Sequence, residues 1–174
     1  ESGKIHFIGV SNWTTQRIEE ANKFAEENGM EPIRISQINY SLAHSSVETF
    51  GDNTLVCMDT KEFRWYKKHD FPVMAFSPQA KGFFAKLAKG DAANNLPEGQ
   101  YAGPANLARL AKVKQLSEQT GDTPAKITLG YLNSQPFFVS SVFAVTKLWQ
   151  LDEDMEAQDL TYDPKTVAFL ENMI

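Results

Sequence analysis

The sequence is poor in several things that would narrow its function quickly. One cysteine, Cys57, in 174 residues excludes an intrachain disulfide, and a reducing cytoplasm is the compartment expected for such a chain. No apolar run approaches the ~20 residues of a membrane-spanning helix. Positive charge is not in excess: 17 Lys and Arg stand against 22 Asp and Glu, a formal net charge of −5. That balance speaks against nucleic acid or an anionic membrane surface as partner, since both call for a broad basic footprint. It leaves room for a local basic pocket. Histidine is scarce too. His6 lies inside an apolar run, His44 on a loop and His69 at a helix end, so no catalytic role and no metal site is expected of them. Glu1-Ser2-Gly3-Lys4 is neither a signal peptide nor a start methionine, and the first apolar run follows at once, as in a chain that begins in the middle of a domain.

Four short apolar runs organise what is present: Ile5 to Val10, Ile33 to Tyr40, Val73 to Phe76 and Phe137 to Val145. Each is followed by a helical pattern. After the first, Ile18, Ala21, Phe24 and Ala25 recur at helical spacing and Gly29 supplies a stop. Phe63, Tyr66 and Lys67 share a helical side ahead of Phe71-Pro72. A longer helix is predicted from about Ala105 to Gln119. Another opens at Thr123-Pro124, with proline in the first turn. Leu148, Leu151 and Met155 mark a further helix, and Asp163-Pro164 opens the last. Strands alternating with helices predict an α/β fold with a parallel sheet. The stretch Gly90 to Pro104, rich in Gly, Asn, Pro and Ala, reads as a long loop of the functional kind.

Polar groups fall at or near the ends of the runs. The first ends Ser11-Asn12, the second carries Gln37 between Ser36 and Ile38, the third ends Ser77-Pro78-Gln79, and the fourth ends Thr146-Lys147. Parallel strands bring such ends to one rim, which is where (β/α) barrels carry their sites. An amide buried in an apolar strand, as Gln37 is predicted to be, costs roughly 1–3 kcal/mol without a partner. By residue type and spacing alone, a lone polar residue at a strand end is more often a turn or cap residue than a ligand contact, and the chemistry stays open.

The motifs themselves resemble a known family. Gly3-Lys4-Ile5 with Ile8-Gly9-Val10-Ser11-Asn12-Trp13, then Ser36-Gln37-Ile38-Asn39-Tyr40-Ser41, then Pro72-Val73-Met74-Ala75-Phe76-Ser77-Pro78, and finally Gln150-Leu151-Asp152-Glu153-Asp154, resemble in order the motifs of aldo-keto reductases. The resemblance covers nearly all of residues 1–174. It implies an eight-stranded (β/α) TIM barrel, of which this chain would supply the last four βα units as a C-terminal half. It also implies reduction of aldehydes or ketones with NADPH bound across the rim. Ser11, Asn12 and Gln37 would then hold the nicotinamide carboxamide, and Phe76 would stack on the ring in place of a more usual Tyr. Ser77 and Gln79 would meet the pyrophosphate, and the Gly90 to Pro104 loop would fold over it. Thr146, Lys147, Gln150 and Asp154 would serve the adenosine end. There Ala144 replaces a usual Gly, Gln150 an Arg of some members and Asp154 an Asn, so NADH stays open beside NADPH.

The family's catalytic Asp, Tyr, Lys and His lie on its first four strands, and no residue here matches them. The expected partners are therefore a small carbonyl substrate and an N-terminal half of the barrel. Among the tyrosines, only Tyr40 is predicted near the rim. Four parallel strands alone leave two open edges, which a longer reductase would close, or else a second copy. A non-catalytic cofactor-sensing module is the alternative function. A phosphate-binding barrel of another family would want a Gly-rich loop after the last two strands, and Ala144-Val145-Thr146-Lys147 contains no glycine.

Overall fold

A computed structural model describes residues 3–90 and 101–171. Four strands, β1 (Ile8–Ser11), β2 (Ile33–Asn39), β3 (Val73–Phe76) and β4 (Val139–Val142), form one parallel sheet in the order of the sequence. Helices α1 (Thr15–Glu27), α2 (Val47–Phe50), α3 (Thr60–His69), α4 (Phe83–Ala88), α5 (Pro104–Thr120), α6 (Pro124–Asn133), α7 (Leu148–Met155) and α8 (Pro164–Glu171) lie between and after them. The sheet is open, with β1 and β4 at its edges among the described residues. Most of the expected Gly90 to Pro104 loop, residues 91–100, lies outside the described residues.

Local chemistry explains where the helices start and stop. The Thr14 hydroxyl accepts from the Arg17 amide at the N-terminus of α1, the Asp59 carboxylate accepts from the Glu62 amide at α3, and the Thr123 hydroxyl accepts from the Lys126 amide at α6. Each satisfies a backbone donor that the helix itself leaves without a partner. Lys67, Lys68 and His69 crowd the last turn of α3, where the helix dipole favours cations.

The two faces of the sheet differ. Ile38, Val73 and Ala75 are fully buried and pack with Tyr66, Phe83, Phe84, Ile127 and Leu132 beneath the helices. Strand alternation sends the intervening residues to the opposite side. Register places Ser11, Gln37, Met74 and Ser140 in one row there, and Asn39, Phe76 and Val142 in the next row toward the carboxyl ends. This second face is the thinly covered one: Met74 and Phe76 are half-buried and Val142 exposed.

Three expectations need correction. The first run pairs only from Ile8 onward, and Ile5 and Phe7 are exposed with no sheet neighbour to bury them. The fourth run pairs only over Val139–Val142, because the chain turns at 143–146 toward α7. Tyr40 is not a rim residue. It is buried in the core, its ring edge-on to Tyr131 and stacked on Phe137 at centroid distances of 6.3 and 6.5 Å.

Candidate functional site

The exits of β3 and β4 build a cleft. The β3 exit is an unusual turn: Ser77, Ala80 and Lys81 all have positive φ, at 52°, 50° and 55°. Left-handed backbone costs a non-glycine residue of the order of 1–2 kcal/mol, and such strain persists only where the surroundings fix it. Here Ala80 N donates to the Ser77 carbonyl and Gly82 N to the Gln79 carbonyl, both at 2.9 Å, and Lys86 Nζ donates to the Lys81 carbonyl at 3.0 Å. Across from it, the Gln150 side-chain oxygen accepts from the Thr146 and Lys147 amides, each at 3.0 Å, and so caps the start of α7.

Between these walls runs a cleft of about 510 Å³, lined among others by Ser77, Gln79, Lys81, Lys86, Thr146 and Gln150. Two cations and several hydroxyl and amide groups face it, and no carboxylate is among its described lining residues. That composition suits an anion with several acceptor oxygens. A smaller cleft of about 220 Å³ continues from it under α7. Gln79, Lys86 and Gln150 line both, and Lys89, Trp149, Glu153 and Asp154 are among the residues that line the smaller one alone. The Lys89 ammonium lies 5.1 Å from the centre of the Trp149 ring. Gln79 Nε2 donates to Asp154 Oδ1 at 2.6 Å, and burial raises the Asp154 carboxyl above the usual range despite that bond.

The site residues expected from sequence thus divide. Ser77, Gln79, Thr146, Gln150 and Asp154 come together at these two clefts. Lys147 is exposed at the N-cap of α7 and lines neither. Ser11, Gln37 and Phe76 lie on the thinly covered face of the sheet, Gln37 opposite Ser11 and two residues from the register of Phe76. Half-buried Gln37 makes no side-chain hydrogen bond among the described residues, so its amide is available to a ligand. Asn12 is held differently. With φ at 55°, it donates its backbone N–H to the Gln37 carbonyl, and its side-chain oxygen accepts from the Val56 amide at 3.1 Å. Asn12 therefore ties the loop after α2 to the strand ends, and its side-chain NH₂ donates to the neighbouring Ser11 hydroxyl at 3.4 Å, leaving one N–H for a ligand. Lys81, Lys86, Lys89 and Trp149 did not emerge from sequence reasoning, although the cations that follow Ser77-Pro78-Gln79 are a signal that points to them.

The turn after Asn12 is braced from α3. Glu62, buried, accepts from the Thr15 amide at 2.9 Å and the Thr15 hydroxyl at 3.3 Å. Burial pushes its carboxyl up, and the Thr15 bonds offset this only in part. A raised value in the folded protein means that the contribution of Glu62 to stability is fully present below its ordinary value of 4.5 and is lost as pH rises through the raised one. Glu62→Gln keeps an acceptor for Thr15 and carries no charge. That variant is expected to be the more stable at pH 7 by urea denaturation, with the gap closing below 4.5; a gap that widens on acidification would contradict this.

The family model described as the aldo/keto reductase family matches residues 1–174. Two curated relatives, the L-glyceraldehyde 3-phosphate reductases of Escherichia coli K12 and Escherichia coli O157:H7, are each 23% identical over the whole of this chain. The chain spans about half, 51%, of their length. Among solved structures, a thermostable aldo-keto reductase in complex with the inhibitor epalrestat superposes with a TM-score of 0.62 at 17% identity, over 95% of this chain and 47% of that one. This likeness shows a shared fold.

Proposed function

This chain belongs to the aldo/keto reductase family, and from that premise we propose that it supplies the nicotinamide-dinucleotide rim of a carbonyl reductase. The observation that carries the reading is the cationic cleft between the β3 and β4 exits, built from Ser77, Lys81, Lys86 and Thr146. It continues toward a sheet face that offers an unpartnered amide, Gln37, and an aromatic ring, Phe76. A diphosphate, a carboxamide and a flat ring on one ligand match those three features.

When bound, NADPH or NADH supplies hydride. The residues of this chain bind and orient it. Lys81 and Lys86 offset the diphosphate charge, and the Ser77 and Thr146 hydroxyls donate to its oxygens. Gln37 and Ser11, level with each other on adjacent strands, hold the carboxamide, with the Asn12 NH₂ beside them. Fixing the carboxamide fixes which ring face meets the substrate, a contribution of positioning rather than bond-making. The substrate is an aldehyde or ketone, reduced to an alcohol. Its oxygen takes a proton from an acid outside this chain, on an N-terminal half of the barrel. Tyr40 is no candidate for that acid, since burial drives its phenol far up and away from solvent.

Titration with NADPH is expected to quench tryptophan fluorescence, with Trp149 beside the smaller cleft and half of it exposed. Gln37→Leu removes about one net hydrogen bond, about 1 kcal/mol, and raises Kd about fivefold. An intact fold that shows neither quenching nor any calorimetric heat with NADPH or NADH would defeat the proposal.

A further inference from the structure

We propose that Asp154 is a positioning residue: through Gln79 it holds the strained turn after β3 against α7 and so sets the width of the phosphate cleft. The proposal rests on the dinucleotide reading above. The two side chains are 75 residues apart in sequence and meet at 2.6 Å. Gln79 lines both clefts, so the bond lies where they join. The other bonds that fix the turn stay on its own side. Ala80 to Ser77 and Gly82 to Gln79 close within it, and Lys86 ties it to α4. The bond from Gln79 to Asp154 crosses to the opposite wall.

The placement of Asp154 has no local rationale. Residues 148, 149, 151, 152 and 155 of α7 are exposed, yet Asp154 is buried. It stands in the last turn, where the helix dipole disfavours a carboxylate. Burying such a group is unfavourable unless a partner compensates it, and its partner here is the turn. Three left-handed residues in five positions give that turn an incentive to relax. Anchored at Gln79, it keeps Ser77 and Lys81 facing Thr146 across the gap.

NADPH and ADP are the probes, with affinities taken from calorimetry. Gln79→Met keeps the length of the side chain and removes its donor, and is expected to raise Kd for both probes about tenfold. Asp154→Ala is expected to match it, and the double variant to be no weaker than either single one, because one bond is lost in each case. Asp154→Asn retains the acceptor and is expected to stay within about threefold of wild type, a rescue that a purely structural role of the carboxylate would not predict. Should Asp154→Ala fail to fold, the isosteric Gln79→Met carries the test alone. Unchanged affinity in Gln79→Met, or fully additive losses in the double variant, overturns the clamp. A folded wild-type protein that binds neither probe removes the dinucleotide reading instead, and the clamp with it.

Discussion

Tyr66→Ala is expected to be among the most destabilising substitutions in the protein, at about 3–5 kcal/mol. For a chain of this length that lowers Tm by about 6–20 °C in a thermal melt. Tyr66 is fully buried on α3 and packs against Phe71 and Phe137 at centroid distances of 6.1 and 5.8 Å. It stands where α3, β2 and the start of β4 meet, so truncation leaves a cavity that three elements would have to close. The phenol itself adds little. Burial pushes it up to about 12, with the Ser36 hydroxyl close enough to moderate the shift. Neither hydroxyl completes a hydrogen bond in the structure. Tyr66→Phe is therefore expected to lie within about 1 kcal/mol of wild type. A comparable loss in both variants would mean that the hydroxyl, not the ring, holds the helix to the sheet.

Phe76→Ala is expected to weaken dinucleotide binding more than any other single change on the sheet face. Stacking of an aromatic side chain on a heteroaromatic ring contributes about 1–3 kcal/mol, which corresponds to a rise in Kd of about 5- to 150-fold. The side chain is half-buried on the thinly covered face, one register row beyond Gln37, and has no ring partner among the described residues. Removing it therefore costs the core little, and melting temperature is expected to move far less than affinity. Phe76→Tyr restores the residue more usual in the family and is expected to bind within about twofold of wild type. Equal affinity in Phe76→Ala and wild type would place the nicotinamide somewhere other than over this ring.

Much of this architecture was legible in the sequence because parallel strands covered by helices read as unbroken apolar runs. Val73–Phe76 and Ile33–Asn39 fall within a residue of their expected bounds. Thr14, Thr123 and Pro124 carry their instructions locally, in a hydroxyl or a fixed φ, and α1 and α6 begin at them. Helices α2 and α4, of four and six residues, are too short to display a 3.6-residue period. The site was less legible for a different reason. Residue type marked Ser77 and Gln79 as polar groups at a strand end and the family resemblance marked Asp154, but which of them bond to each other depends on contacts 75 residues apart. Asn12 shows the same limit, because its side-chain oxygen is taken by the amide of Val56, 44 residues on.

The turn after β3 also narrows the paths by which this protein can drift. At positions 77, 80 and 81 the backbone selects against β-branched side chains, whatever their chemistry. Replacements tolerated there come chiefly from glycine, asparagine and aspartate. At 77 and 80, glycine and asparagine leave the local charge unchanged and aspartate would turn it against an anionic ligand, while at 81 any of the three removes a cation from the cleft. Change in ligand preference is thus channelled away from the turn and toward the freer positions on the opposite wall.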